Sequence, residues 1–262
     1  MIAFDILVET DTWILALLLF AFMVFGAVIG RLLGKRSDKN RTGTKGGSLM
    51  TAGAYTIVGF LMAFSFSMAG SRFDSRKKVI IEEANDIGTA LLRSNLYPDS
   101  TAVLFKEDFK KYIDARIFYF ESRTDIARTL ASMDTANKYG TNIFMRAAKF
   151  AMDPNYFVPS QQMIPAVNAM LDIANTRFHD ELYKIPSVFI LLVIALSFIS
   201  SFIYGYIAEL SGKRIDWLLS SLYIAIFCLV FYFMLDLDRP RSGLINLYET
   251  NKAIINLKSM TE

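Results

Sequence analysis

The stretch from Gly53 to Glu83 constrains the fold of this chain more than any other. Residues 53–70 carry no charge, and about 20 mainly apolar residues suffice to cross the hydrocarbon core of a membrane. From Arg72 onward charged residues are frequent, yet no proline interrupts the stretch. The pattern therefore predicts a membrane-spanning helix that continues without a hinge into an aqueous domain.

Three further apolar runs complete the predicted membrane part. Together with this helix, they place spanning segments at about 13–33, 50–70, 187–207 and 217–235. We therefore predict an all-α polytopic membrane protein with four transmembrane helices and an aqueous helical bundle between the second and third. The predicted division is an N-terminal helix pair, an aqueous α-helical domain, a C-terminal helix pair and a short tail, at residues 1–70, 71–184, 185–236 and 237–262.

The predicted aqueous domain contains apolar residues at helical spacing and no sustained alternation typical of strands. Breaks are expected at Tyr97-Pro98-Asp99-Ser100 and from Asp153 to Ser160. We expect three or four amphipathic helices whose inner faces carry Ile80, Ala84, Ile87, Leu91; Phe105, Phe109, Tyr112, Ile113, Ile117, Phe120; Met163, Val167, Met170, Leu171, Ala174 and Phe178.

Composition excludes several classes of function. The net charge is only +3 and the basic residues are dispersed, so we expect no nucleic-acid partner. With one cysteine, Cys228, and one histidine, His179, the chain lacks an internal disulfide and the usual soft metal sites. No catalytic, cofactor or metal constellation emerges, and we expect a protein that is not an enzyme.

The side of the membrane that carries residues 71–184 is not assigned by the positive-inside rule. A basic first loop, with residues such as Lys39 and Arg41, favours an external aqueous domain. Basic residues near the ends of that domain, such as Arg76 and Lys184, reverse the count.

Small residues mark two sites for close helix packing. Gly26 and Gly30 form such a pair in the first spanning helix. In the second, a small-residue row lies beside a larger ridge that is turned by about 100°. The row comprises Gly59, Ala63, Ser67 and Ser71, and the ridge comprises Thr56, Phe60, Phe64 and Met68.

This ridge has two interpretations. In a ring of subunits, the row would pack on a neighbouring copy while Phe60 and Phe64 form stacked apolar rings at the axis, which can gate ions by dewetting. Alternatively, the phenylalanines face lipid or a packed helix. Beyond the ridge, Arg72 and Arg76 would attract anions at a pore mouth, and Glu82 and Glu83 would attract cations. In the alternative interpretation, the two glutamates have no role in a pore and lie on a solvated or ion-paired helix face.

Several motifs resemble an uncharacterised bacterial membrane family described by a bestrophin-like domain. The resemblance covers nearly the whole chain and includes Arg72-Phe73, Glu82-Glu83-Ala84-Asn85, Leu91-Leu92-Arg93, Leu237-Asp238-Arg239-Pro240 and Gly243-Leu244-Ile245.

A more distant resemblance connects the chain to bestrophins, which are pentameric ion channels. It rests on the order of helices, on Phe60 and Phe64 followed by Arg72, and on Ile185-Pro186 before the third span. The resemblance implies that Phe60 and Phe64 line a pore neck, with Thr56 at a third ring where bestrophins usually have an apolar side chain. The chain has no counterpart to their calcium-binding acidic cluster, and its tail is short.

Two functions follow as expectations. The first is a homo-oligomeric, pentameric ion channel in the bacterial cytoplasmic (inner) membrane, whose partners are lipid, its own copies and inorganic ions. The alternative is a non-conducting membrane scaffold or sensor whose helical domain binds a protein partner.

Overall fold

The computed structural model describes residues 10–36, 47–122, 125–211, 215–239, 241 and 243–262. Over these ranges the regular structure is entirely helical, which confirms the all-α prediction. We number the α-helices of the described residues in chain order: α1 Thr12–Arg36, α2 Gly47–Arg93, α3 Asp99–Glu121, α4 Ile126–Phe150, α5 Phe157–Leu182, α6 Ser187–Leu210, α7 Trp217–Leu237 and α8 Tyr248–Ile255. Short 3-10 turns occupy Ser94–Leu96, Pro154–Tyr156 and Asn256–Met260.

Four helical stretches of the described chain are long and apolar enough to cross a membrane. They are Thr12–Arg36, Leu49–Leu96, Pro154–Leu210 and Trp217–Leu237. Each contains one of the four predicted spans, so the protein is membrane-embedded by length and composition. Lys39 and Arg41 of the basic first loop, which were used to weigh its orientation, lie outside the described residues.

Helix α2 is continuous for 47 residues. At about 1.5 Å per residue it extends for about 70 Å, more than twice the thickness of a hydrocarbon core. The predicted continuation of one helix from the apolar into the charged sequence is confirmed.

The chain divides into two compact units, which we call the first and the second unit. The first comprises the described residues of Met1–Ser71 and Lys184–Asp238. The second comprises those of Arg72–Tyr183 and Arg239–Glu262. The sequence-based division treated 237–262 as a separate tail, whereas nearly all of these residues belong to the second unit.

Glycines set the packing of α1 against α6 in the first unit. A Cβ added at Gly26 would lie 3.0 Å from the Phe198 carbonyl oxygen, and one at Gly30 would lie 2.1 Å from that of Phe202. From the other side, a Cβ at Gly205 would lie 2.0 Å from the Ala27 oxygen. The prediction that Gly26 and Gly30 admit a close neighbour is confirmed.

The core of the second unit is formed by apolar stripes from α2, α3, α4 and α5. Most of the predicted inner-face residues are buried there, and only Leu171, Ala174 and Phe178 remain partly exposed. The C-terminal segment adds Leu247 just before helix α8, Ile254 within it and Leu257 in the turn after it to the same core. These apolar side chains of the tail are therefore covered within the second unit.

The two predicted breaks are present with different bounds. Pro98 precedes α3, and Asp153 caps the 3-10 turn by accepting a hydrogen bond from the Asn155 N–H. The second break is shorter than predicted because α5 already begins at Phe157. Pro159 lies in the first turn of α5, where its missing N–H needs no helical partner.

Candidate functional site

The apolar half of α2 packs inside the first unit through one stripe only. Val58, Met62, Ser65 and Ala69 are buried and recur at three- and four-residue steps. The predicted neck residues lie on other sides of the helix. Phe60 is 70% exposed, which places its ring outside the core of the unit.

The small-residue row is also uncovered within the chain. Gly59, Ala63 and Ser67 are exposed, and a Cβ built on Gly59 would meet no other atom within 4 Å. This differs from Gly30, where the backbone of another helix occupies that space. We call the surface formed by Thr56, Gly59, Phe60, Ala63, Phe64 and Ser67 the α2 face.

Two ridge residues are partly engaged. Phe64 is 51% exposed and its ring centroid lies 6.1 Å from that of Phe189 on α6. Met68 is half-buried. At the other end, the exposed Thr56 uses its hydroxyl to donate to the Ala52 carbonyl at 2.8 Å. That bond satisfies the donor of the only polar residue in the predicted ridge.

The structure separates the four predicted mouth residues. Glu82 is exposed and Arg72 is half-buried. Arg76 is buried instead, and it donates from Nη2 to the Tyr183 carbonyl at 2.7 Å and from Nε to the Asp180 carbonyl at 3.3 Å. These bonds satisfy carbonyls at the end of α5.

Glu83 also differs from the prediction of an exposed charge. Its side chain is fully buried, and it accepts hydrogen bonds from Arg116 Nε and, at 2.7 Å, from Arg177 Nη1. Within the second unit it therefore cannot meet a passing ion. Glu83 is therefore ion-paired, as the alternative interpretation proposed. Its neighbour Glu82 lies about 100° around the helix and is exposed.

Glu83 belongs to a buried network that we call the arginine cluster, formed by Glu83, Arg116, Tyr119, Arg177, Glu181, Arg241 and Asn251. Arg177 links the two acids, since its Nε lies 3.3 Å from Glu181 Oε1. Its Nη2 donates to Asn251 Oδ1 of α8 at 3.2 Å. Arg241 Nε completes the network at 2.9 Å from Glu181 Oε2. Helices α2, α3, α5 and α8 are thus joined by charge-assisted hydrogen bonds.

Tyr119 lies at the centre of this cluster. The guanidinium carbons of Arg116, Arg177 and Arg241 lie 4.6, 5.3 and 4.8 Å from its ring centroid, within the range of cation–π attraction. Its hydroxyl donates to Glu181 Oε2 at 3.0 Å. Burial raises the pKa of Tyr119 and thereby keeps this hydroxyl protonated as a donor.

The charges of the cluster do not balance, because three arginines face two glutamates. Burial opposes ionisation of Glu83, but the attraction of Arg116 and Arg177 exceeds that effect and lowers its pKa. Burial likewise disfavours the charged form of Arg116, yet Glu83 raises its pKa. Arg116 Nη2 has no hydrogen-bond acceptor among the described residues.

Sequence reasoning missed Arg116, Arg177 and Arg241, although one signal was present. Arg116 shares the stripe of Tyr112, Ile113, Ile117 and Phe120, so helical spacing places its side chain on the buried face. A charge on an apolar stripe requires a buried partner.

Among the described residues, no cluster of three or more His, Cys, Asp or Glu side chains could hold a metal ion. The chain matches no known protein-family model and no curated protein. Its function is therefore inferred from these surfaces and from their chemistry.

Two motifs of the sequence meet in the first unit. Asp238 Oδ2, at the exit of α7, accepts a hydrogen bond from the Ile185 N–H at 2.8 Å, and both residues are buried. This bond satisfies a backbone donor just before α6. The Ile185-Pro186 segment and the end of α7 at Asp238 are therefore in direct contact. Pro240 of the second motif lies outside the described residues.

Proposed function

We propose that the protein is a homo-oligomeric ion channel whose pore is lined by the α2 face. The observation that carries the proposal is that this face combines large aromatic side chains with a small-residue row that no part of the described chain covers. Lipid alone would account for exposed phenylalanines. It would not favour a row of small residues, which typically admits a second helix at close range.

The spacing of the phenylalanines suits a gate. Phe60 and Phe64 are one helical turn apart, so their copies would form two rings about 6 Å apart along the pore. Apolar rings of this kind exclude water and thereby stop ions. The bonded hydroxyl of Thr56 lessens the polarity of the third ring.

The proposed number of subunits is five, and the proposed location is the bacterial cytoplasmic membrane, both from the resemblance to bestrophins. The proposal names inorganic ions without assigning the sign of their charge. Arg72 and Glu82 remain proposed for the mouth, and their charges are opposite. Arg76 and Glu83 are removed from that role because both side chains are buried.

The first test is the oligomeric state of the protein in lipid nanodiscs, measured by native mass spectrometry. We expect a closed ring of five. A monomer or dimer would leave no axis for the α2 face and would overturn the proposal.

The second test is ion flux in liposomes. We expect the double variant Phe60→Ala/Phe64→Ala to raise basal flux because the apolar constriction is removed. Phe25→Ala is a matched control, since Phe25 is an exposed phenylalanine on α1. Unchanged flux for the double variant of a conducting protein would remove these two residues from the gate.

A specific observation also favours a scaffold or sensor. Met152, Phe157 and Val158 are exposed apolar side chains near the break between α4 and α5 in the second unit, and Met152 is 88% exposed. Such a patch suits a protein partner. A monodisperse monomer or dimer that carries no flux would favour this second function.

A further inference from the structure

The charged half of α2 repeats the ridge of its apolar half as a row of charges. At about 3.6 residues per turn, five turns take about 18 residues, after which a helix faces the same direction again. Helix α2 is continuous across this interval. The four ridge residues are followed at this distance by Asp74, Lys78, Glu82 and Asp86, which we call the charged row.

Exposure within the second unit matches this order. The first three residues of the charged row are exposed, and the fourth is half-buried. The ridge shows the same order of exposure, with Met68 as its half-buried member. Next to the charged row, Asn85 and Thr89 are exposed as well. This side of α2 is therefore uncovered within the second unit and largely polar, which suits the wall of a water-filled passage.

Acids outnumber bases on this side of the helix. The charged row contains three carboxylates and one ammonium group, which leaves two negative charges per copy. The neighbouring basic residues of α2 face elsewhere. Arg72 and Lys77 are turned by about 120° and 100° from Lys78. Arg76 is buried and bonded to carbonyls at the end of α5.

Two of the carboxylates are neighbours on the helix surface. Glu82 and Asp86 are one turn apart, and like charges at this spacing repel each other. None of the ion pairs of the described residues involves either side chain. Burial, and after it the charge of Glu82, raises the pKa of Asp86. A cation beside the two carboxylates would relieve their repulsion, whereas an anion would add to it.

We infer that the pore proposed for the α2 face conducts cations in preference to anions, and that Asp74 and Glu82 of the charged row set this preference. The inference rests on the proposed channel function, because only a ring of copies brings the rows together around one axis. Rings of acidic side chains favour cations in a pore. Successive residues of the row are about 6 Å apart along the helix, within a Debye length of about 8 Å. Lys78 therefore offsets one acid and leaves the row negative.

The test measures the reversal potential of currents in planar lipid bilayers across a gradient of potassium chloride. The background is Phe60→Ala/Phe64→Ala, which removes the proposed constriction so that the gate does not limit conduction. We expect reversal close to the equilibrium potential of potassium. Reversal at zero or towards the equilibrium potential of chloride, in a conducting ring, would overturn the inference and leave the channel proposal in place.

Charge variants in the same background locate the preference. We expect Glu82→Gln to lower the potassium-to-chloride permeability ratio by about tenfold, the lower end of the ion enrichment in a cleft lined by one sign of charge. Asp74→Asn should lower the ratio too, and Lys78→Gln should raise it. Glu107→Gln is the matched control and should leave the ratio unchanged, because Glu107 is an exposed carboxylate on α3 of the same unit.

Two outcomes separate the charged row from the channel itself. A monomer or dimer that carries no current overturns the channel proposal and the inference together. A conducting ring in which Glu82→Gln and Glu107→Gln have the same permeability ratio overturns the role of the row alone. Glu82→Lys should shift the reversal potential further towards the chloride value than Glu82→Gln, because it reverses the charge. Equal shifts would contradict selection by charge.

Discussion

At the scale of single residues, Glu83 and Glu82 show how one position along a helix changes the environment of a carboxylate. Glu83 is enclosed and bonded to two arginines, while Glu82 is exposed. Removing one partner of a buried ion pair leaves the others with an uncompensated charge. The two adjacent glutamates therefore form a matched experiment.

We expect Glu83→Gln to lower the free energy of unfolding by about 3–5 kcal/mol, because Arg116 and Arg177 lose their common counter-ion. Glu82→Gln should change it by less than about 0.5 kcal/mol. Thermal or denaturant unfolding of the purified protein measures both. Equal stabilities for the two variants would show that the arginine cluster does not hold the second unit together.

The pKa of Glu83 adds a dependence on pH. Burial raises this pKa, but the two arginines lower it further, so the folded-state pKa lies below the ordinary value of 4.5. The stabilisation from the ionised carboxylate is therefore complete above the unfolded-state pKa and is lost as pH falls through the folded-state value.

We expect the stability difference between the wild type and Glu83→Gln to be constant from about pH 7 to pH 5 and to narrow at lower pH. Unfolding measured across this range tests the prediction. A difference that widens as pH falls from 7 to 5 would place the folded-state pKa of Glu83 above its ordinary value and contradict the ion pairing.

At the scale of elements, glycines decide which helices touch. Gly30 and Gly205 let α1 and α6 bring their backbones together, whereas Gly53 and Gly59 have nothing within 4 Å of an added Cβ. Glycine thus allows close helix contact at Gly30 and Gly205, whereas at Gly53 and Gly59 no neighbouring helix of the described chain uses the space.

We expect Gly205→Ala to destabilise the protein by at least about 1–3 kcal/mol, because the new methyl group would overlap the Ala27 carbonyl. Gly53→Ala is the control and should be neutral or slightly stabilising, since alanine is the better helix former. Thermal unfolding of both variants tests this. A Gly205→Ala protein as stable as the Gly53→Ala protein would refute the close contact of α1 and α6.

At the scale of the whole molecule, the channel proposal requires the α2 faces of several copies of the chain to lie together. A symmetric ring brings the copies of one residue together at its axis. The only cysteine, Cys228, is buried, so a Cys228→Ala background allows single cysteines to report on proximity.

We expect Phe60→Cys in this background to form covalent dimers rapidly on oxidation in nanodiscs. Leu218→Cys on α7 is the control, because Leu218 and Phe60 are each 70% exposed in the single chain. Dimer formation is measured by gel electrophoresis without reducing agent. Equal yields from the two positions would indicate random collision and contradict an axis lined by α2.

Some of this architecture could be predicted from local sequence. The four apolar stretches and the unbroken α2 followed from length, polarity and the absence of proline. The Gly26 and Gly30 pair followed from its four-residue spacing. These features depend on neighbours in sequence, because helix formation and burial in lipid act on a contiguous segment.

The arginine cluster and the place of the tail could not be predicted in the same way. Spacing shows that Glu82 and Glu83 face different directions, but not which one is covered. That choice depends on Arg116 and Arg177, which lie 33 and 94 residues away, and on Asn251 of α8, which bonds to Arg177. Arg76 is likewise buried by carbonyls more than a hundred residues distant.

The sequence by itself therefore determined that the chain is helical, where it can cross a membrane and which residues share a face of each helix. Only the tertiary structure decided which faces are covered. It covers Glu83 and Arg76, brings the tail into the core of the second unit, and leaves Phe60 and Gly59 outside. The physical reason is that burial depends on contacts between distant segments, and a local pattern records only the side of a helix on which such contacts can form.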